Sequence, residues 1–407
     1  MSFLVLIELF IYLASGFDNF ISYVLINSYI CLLALYFVGL FKVNIASISA
    51  NEKSLILILL TMKFLISAFL FIYIYYLQFP DARLLPPDAQ IIHIPQIQAW
   101  YDYFKFNKEL DDLTRFGRYY ISNFYIAIIY LISDNLMISI VVGLLILFIS
   151  NIILVYKNCS KIFKSEIFDG GLLSLMVLFG APSFTYYSLQ LYKEGMFYLM
   201  LNLLIYTTLK KKYFLMFIIF SLICYERFYS GFLIFFALSL MFFIQAGLGK
   251  KILIIIISPF ILYCIFLLAF PDFDLDATFT IVKGFASNHS LSDAGLGSKF
   301  PFSLLQIALS PIPNVFKIEY WNYQDRLLIA AFVFSVLTLV SFTFCKTKQK
   351  LGFVSFSWYI YILYLLLWSF LAPFNGRARD AIYPFIIILV CHFLGKYRYK
   401  NLKVIKQ

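Results

Sequence analysis

Charged side chains are scarce in this chain of 407 residues, where Asp, Glu, Lys and Arg make up only 13%. Ordinary soluble domains carry about 25%. Hydrophobic residues make up 63%, and the mean hydropathy is +0.89. So little charge cannot cover a surface that faces water, which excludes a soluble enzyme and a disordered chain. We expect an all-α polytopic membrane protein, with residues 1–407 forming a single transmembrane domain.

Histidine is also scarce, with three residues, and the six cysteines form no Cys-x-x-Cys motif. Neither a zinc site nor a redox pair is expected, and Cys159 and Cys345 are assigned to loops. The net charge is +11, but the excess Lys and Arg lies in short loops between apolar runs. That distribution orients membrane proteins, so we expect membrane lipids and no nucleic acid as partners.

Twelve apolar runs are candidate membrane spans, since a span needs about 20 mostly apolar residues. They are 3–16, 20–41, 54–78, 137–156, 170–187, 194–209, 213–226, 229–247, 252–270, 327–345, 352–372 and 382–395. Lysine clusters follow every second span, as the positive-inside rule requires of cytoplasmic loops. The prediction is a bacterial inner-membrane protein with both termini cytoplasmic and large outer loops at 79–136 and 271–326.

One more apolar run, 119–133, is short, rich in tyrosine and contains Asn123. If it crossed the membrane, the lysines of the preceding loops would lie on the wrong side. We therefore expect one or more juxtamembrane helices in the outer loop 79–136, with this run lying in the outer interface.

The polar residues collect at the predicted outer face. The loop after the third span carries Asp81, Asp88 and His93 among prolines. A rigid carboxylate at the membrane surface suits a general base that meets a substrate hydroxyl. Asp88 is the first candidate for this catalytic role and Asp81 the second.

Cations at the same face suit an anionic ligand. Arg377 and Arg379 precede the last span, Arg227 lies in a tight outer turn, and Lys193 is followed by Glu194. Arginine on the side where positive charge is disfavoured is explained by phosphate binding, because guanidinium binds phosphate through two parallel hydrogen bonds. His93 and Glu194 are expected to support the directly binding residues.

The second outer loop, 271–326, opens with alternating Asp272, Asp274 and Asp276. Such oxygen ligands suit a divalent cation, but the loose spacing favours a solvated loop, so no metal or other cofactor is expected. A face with an acid, several cations and many aromatic residues beside lipid suits a polyprenyl-phosphate-linked sugar as donor and a glycan or lipid as acceptor.

The order of these features resembles the GT-C class of membrane glycosyltransferases, relatives of the lipid A aminoarabinose and protein O-mannosyl transferases. The matching features are an acid in the first outer loop, juxtamembrane helices, a span ending at Lys157, the stretch from Pro182 to Glu194, and arginine ahead of Pro384. The resemblance covers about 80–400 and implies sugar transfer from a lipid-linked donor in surface polysaccharide biosynthesis. The chain is similar in character to bacterial O-antigen polymerases as well.

Two alternatives therefore stay open. An O-antigen-type polymerase would use an oligosaccharide on polyprenyl diphosphate and share the same cations. A lipid-linked-sugar flippase or another transporter would belong to a different class, and the near-absence of charge inside the spans argues against it.

Overall fold

A computed structural model describes part of the chain. The described residues are 54, 58, 92–110, 120–164, 166, 169–179, 184, 188–189, 191, 194–245, 247, 249, 251–252, 304, 308–309, 334–343, 352–371 and 382–405. Within these residues all regular structure is helical and no strand occurs. The predicted all-α class is confirmed for this part of the chain.

Nine helices can be given full bounds among the described residues. They are α1 (Ile94–Phe106), α2 (Ile121–Ser133), α3 (Leu136–Ile162), α4 (Gly170–Phe179), α5 (Glu194–Leu209), α6 (Tyr213–Glu226), α7 (Phe228–Gln245), α8 (Phe353–Leu371) and α9 (Tyr383–Ile405). Residues Phe334–Thr343 are helical as well.

These helices fall into two compact units. The first holds α1 to α4 and the start of α5; in it α1 packs on α2, α2 on α3, and α3 on α4. The second holds α6, α7, α8 and the part of α9 up to Leu394, and there α7 packs on both α6 and α8.

Local signals explain the tight connection between α2 and α3. Helix α2 ends at Ser133 and is capped by Asp134, which adopts a left-handed conformation (φ 53°) and donates its backbone N–H to the carbonyl of Tyr130 at 2.9 Å. The next residue, Asn135, accepts the N–H of Ile138 at 3.0 Å through its side chain and so caps α3. Asp is among the few residues that adopt the left-handed conformation readily, and Asn is a preferred N-cap because its side-chain oxygen accepts a backbone N–H.

Small side chains allow close packing within the first unit. A Cβ atom placed on Gly143 of α3 would lie 3.2 Å from Cγ1 of Ile126 on α2. This distance is tighter than ordinary van der Waals contact, so the two helices approach where α3 has no side chain.

Helix α3 exposes apolar side chains and buries polar ones. Its exposed residues include Ile138, Val142, Ile146, Ile149 and Ile153. By contrast, Asn151 and Ser139 are fully buried. A helix on the surface of a soluble protein has the opposite pattern.

The same helix is the one described helix that is long and apolar enough to cross a membrane by length and composition. Its 27 residues would extend about 40 Å, against about 30 Å for the hydrocarbon core. Apolar helical stretches of 10–17 residues are Ile121–Ser133, Tyr213–Glu226, Ser230–Leu240, Phe334–Thr343, Phe353–Leu366 and Tyr383–Gly395.

Several of the predicted spans coincide with helices of the described residues. The candidate spans 194–209 and 213–226 have the bounds of α5 and α6, and the run 119–133 is helical from Ile121 to Ser133. The candidate span 137–156 lies within α3, which continues to Ile162. Cys159, assigned to a loop, is therefore helical and buried. That twelve such runs cross a membrane stays a prediction.

Candidate functional site

The structure describes three of the eight site residues predicted from the sequence. His93 lies in the first unit at the start of α1, Glu194 in the same unit at the start of α5, and Arg227 in the second unit between α6 and α7. The other five lie outside the described residues: Asp81, Asp88, Lys193, Arg377 and Arg379.

His93 belongs to a buried network of polar side chains between α1 and α2. Its Nδ1 atom lies 2.8 Å from Oδ1 of Asn123, and Nδ2 of Asn123 donates to Oε1 of Gln96 at 2.6 Å. The same Gln96 oxygen accepts the backbone N–H of Tyr120 at 3.1 Å. The three side chains are at most 3% exposed, so the bonds form away from water.

The network also supplies the missing cap of α2. Tyr120 precedes that helix and makes no side-chain capping bond of its own. Its backbone N–H is instead accepted by Gln96 of the neighbouring helix, which satisfies one of the amides that every helix start leaves open. Gln96 therefore links the start of α2 to the start of α1.

Gln96 was absent from the predicted site, and Asn123 was interpreted only as a sign of an interfacial helix. The available signal was the spacing of His93 and Gln96, which are three residues apart and share one helix face. No local pattern could join that face to Asn123, 30 residues from His93.

At the opposite end of α1, charged groups link the same two helices. Tyr101 donates a hydrogen bond to Asp134, and the ammonium of Lys105 contacts both of these residues. The hydrogen bond from Lys105, followed by that from Tyr101, holds the pKa of the Asp134 carboxyl below its usual value. Bonding to Asp134 raises the pKa of both Lys105 and Tyr101.

Glu194 is fully buried at the start of α5. Its neighbour Gly195 accepts a hydrogen bond from Nδ2 of Asn151 at 2.9 Å, and the same nitrogen donates to the carbonyl of Leu147 at 2.9 Å. Asn151 therefore fixes the start of α5 against α3. A carboxylate in the first turn of a helix is also favoured by the helix dipole.

Two ionisable residues are buried at the turn from α6 to α7 in the second unit. Glu226 is 0% exposed and Arg227 is 3% exposed. Gly231 makes the turn compact, because a Cβ there would lie 3.0 Å from Cα of Cys224 and closer still to its sulfur. Glu226 was noted in the sequence beside Arg227 but was not among the predicted site residues.

The other end of α6 is different. Its preceding turn carries Lys210, Lys211 and Lys212, and all three are exposed. The ionisable side chains before α6 are thus exposed to solvent, whereas those at its other end are buried.

Among the residues that the structure describes, no group of three or more His, Cys, Asp or Glu side chains could hold a metal ion. The chain was also compared with models of protein families, with characterised proteins and with solved structures, and none of these matched.

Proposed function

We propose that this protein is a membrane glycosyltransferase of the GT-C type, with about twelve spans, in a bacterial inner membrane. It would transfer a sugar from a polyprenyl-phosphate-linked donor to a glycan or lipid acceptor at the outer face. The inverted polarity of α3, with exposed isoleucines and buried Asn151, supports the membrane location, because lipid favours that pattern.

The observation that carries the proposal is the burial of ionisable side chains at helix ends assigned to the outer face. Glu194 in the first unit, and Glu226 and Arg227 in the second, are at most 3% exposed. Burying ionisable groups costs free energy, and in membrane proteins such groups mark functional sites. The exposed lysines 210–212, at an end assigned to the cytoplasm, show that this chain does not bury charge wherever a helix ends.

In the proposed reaction, the carboxylate of Asp88 takes the proton from an acceptor hydroxyl. The acceptor oxygen forms a bond to the anomeric carbon of the donor sugar while the bond from that carbon to the lipid phosphate oxygen breaks. The bonding electron pair leaves with the phosphate, whose charge is stabilised by Arg377, Arg379, Arg227 and Lys193. Direct attack inverts the anomeric configuration.

The test measures the surface glycan of a strain that lacks the gene. The strain is complemented with wild type, with Arg377→Ala or with the control Lys210→Ala. We expect the deletion strain to lack one sugar and wild type to restore it. Loss of a charge-assisted bond to phosphate predicts an about 10- to 100-fold decrease in transfer for Arg377→Ala. Lys210→Ala, in the exposed turn before α6, should restore the glycan fully.

Other outcomes of the same experiment contradict the proposal. A polymer reduced to its single-repeat form identifies a polymerase instead. A precursor that accumulates on the inner leaflet identifies a flippase, and a complete glycan in the deletion strain excludes all three functions.

A further inference from the structure

Helices α1 and α2 lie side by side and run in the same direction. Their starts are joined by the hydrogen bond between His93 and Asn123, which are 30 positions apart. Their ends are joined by the contact between Lys105 and Asp134, which are 29 positions apart. Because the separation is nearly the same at both ends, the two helices are parallel.

Helices α2 and α3 run in opposite directions. Next to their connection, the hydroxyl oxygens of Ser133 and Ser139 are 2.6 Å apart. Further from it, a Cβ atom placed on Gly143 would lie 3.2 Å from Cγ1 of Ile126 and 3.4 Å from Cε1 of Tyr125. Helix α2 therefore follows α3 back from the connection as far as Gly143.

The composition of α3 indicates where a membrane surface would lie along it. Its residues 136–156 include no Asp, Glu, Lys or Arg. At 1.5 Å per residue this stretch extends about 31 Å, the thickness of the hydrocarbon core. With the outer boundary of that core at Leu136, Gly143 lies about 10 Å inside it. The part of α2 that packs on Gly143 then lies at the same depth.

The charges of the parallel pair agree with this placement. Residues 92–101 in α1 and before it, and residues 120–133 in α2, include no Asp, Glu, Lys or Arg. The charged side chains of the pair lie at the end next to the start of α3, namely Asp102, Lys105 and Asp134. The pair thus has one charged end, at the level of the outer surface, and one end without these charges, at the level of the hydrocarbon.

Helix α2 also presents an apolar surface that no described residue covers. Ile128 and Ile132 are one helical turn apart and are 42% and 83% exposed. Helix α3 exposes isoleucines as well, including Ile138 and Ile146. Since α2 is packed along α3, lipid acyl chains that cover α3 would also cover this face of α2.

Hydrogen bonding at the uncharged end suits a site without water. Inside a bilayer the amides at a helix start must find partners within the protein. The backbone N–H of Tyr120 is accepted by Gln96, and Asn123 donates to the same oxygen. At the start of α1, Pro95 has no N–H to satisfy.

We propose that α1 and α2 form a re-entrant helix pair, which lies in the outer leaflet beside α3 and contacts lipid acyl chains through Ile128 and Ile132. The inference rests on the membrane location in the proposed function. It places α2 steeply in the leaflet, where the sequence predicted a helix lying in the interface. A re-entrant pair begins and ends on the outer side, so the lysine-rich loops keep their cytoplasmic assignment.

The depth of α2 can be measured with a nitroxide on the full chain in lipid nanodiscs. The amino acid p-acetylphenylalanine is introduced at Ile132, Ile128 or Ile121 and carries the nitroxide on its ketone, so the six native cysteines stay in place. Electron paramagnetic resonance then compares collisions with oxygen, which concentrates in the bilayer, and with a nickel chelate, which stays in water. Ile138 and Ile146 of α3 are the matched control positions.

We expect the ratio of oxygen to nickel accessibility to rise from Ile132 through Ile128 to Ile121, because these residues span about 16 Å of helix. On α3 the ratio should rise in the opposite chain direction, from Ile138 to Ile146. Equal ratios at the three positions of α2 would show a helix lying flat in the interface. High nickel accessibility at all three would show a helix in water, and either result overturns the inference.

Unlabelled variants give a second measurement. A lysine at Ile128 would place its ammonium among acyl chains, whereas a lysine at Ile132, one turn nearer the surface, extends to water. We expect Ile128→Lys to lower the amount of folded protein in the membrane about tenfold relative to Ile128→Leu. Ile132→Lys should match Ile132→Leu. Equal amounts of all four variants would overturn the inference.

The control positions separate failure of this inference from failure of the proposed function. A nickel-accessible label at Ile146 would show that α3 lies in water, which overturns the membrane location and the re-entrant pair together. A label at Ile146 that collides only with oxygen, together with equal ratios along α2, overturns the re-entrant pair alone.

Discussion

Helices α1 and α2 are linked by polar side chains at both ends, and the two links differ in charge and in exposure. The link at the start of α1 consists of the buried side chains of His93, Gln96 and Asn123, joined by hydrogen bonds. The link at its end is ionic, and its carboxylate, Asp134, is 62% exposed. One helix pair thus shows two ways of joining helices through polar groups.

The two links differ in how strictly they fix the geometry of the helix pair. Water and salt screen an exposed ion pair, which contributes little and tolerates many geometries. A buried network of directional hydrogen bonds permits one arrangement and makes every missing bond costly. The first link is therefore suited to fixing one arrangement of α1 and α2, and the second to holding the two helices together.

The largest predicted effect is at the buried link. Asn123→Leu removes the acceptor of His93 and one donor to Gln96 while keeping a side chain of similar size. Because His93 and Gln96 each lose one buried hydrogen bond, we expect the free energy of unfolding to fall by about 2–4 kcal/mol. Chemical unfolding in detergent micelles measures this, with Ile128→Leu on an exposed position of α2 as the control. Equal midpoints for the two variants would contradict the account.

The next effect is at the packing of α2 on α3. Gly143→Val would press a branched side chain against Ile126, where even a Cβ lies at 3.2 Å. Overpacking of this kind costs about 1–3 kcal/mol, and Gly143→Ala should cost less than Gly143→Val. The same unfolding measurement checks the order, and a midpoint raised by Gly143→Val would show that the helices are not in close contact.

The smallest effect is expected at the exposed link. The pKa of Asp134 is lowered in the folded protein, so its contribution to stability is complete above its unfolded pKa, near 4. That contribution is lost as the pH falls through the folded pKa. The pKa of Lys105 is raised in the folded protein. The contribution of its ammonium to stability is therefore complete below the unfolded pKa of lysine and is lost as the pH rises through the folded pKa of Lys105.

Asp134→Asn should therefore lower the unfolding midpoint at neutral pH by less than Gly143→Val, and the difference from wild type should disappear below the folded pKa of Asp134 and in high salt. The matched control is Asp102→Asn, which removes the exposed Asp102–Lys108 pair without touching α2. A salt-independent loss at Asp134 equal to that of Asn123→Leu would remove the distinction between the two links.

The apolar runs of the sequence match helices where hydropathy and chain direction change together. The runs 194–209 and 213–226 have the same bounds as α5 and α6 because the apolar sequence stops at Lys210–Lys212, where Lys211 adopts a left-handed turn conformation. The run 137–156 is shorter than its helix, because α3 continues into polar sequence. In α3 the exposed Lys157 and Lys161 are four residues apart, so the final turns keep a helical face after the apolar run has ended.

The candidate site was less accessible to sequence reasoning. Glu194 and Arg227 are buried at helix ends, and their roles as site residues stay predictions. The link from His93 to Asn123 depends on tertiary packing of α1 against α2, and neither local propensity nor charge distribution encodes a contact over 30 residues. Which atoms of these side chains are paired is seen only in the structure.

The most direct test of the central claim, that the acidic segment before α1 carries glycosyl transfer, compares Asp88→Asn with Asp81→Asn. Each variant is expressed at wild-type level in the deletion strain, and the amount of the missing sugar in the surface glycan is measured. Because removing a general base costs about 10²- to 10⁴-fold, we predict that Asp88→Asn leaves the sugar absent and Asp81→Asn restores it. A complete glycan in both strains would contradict the account.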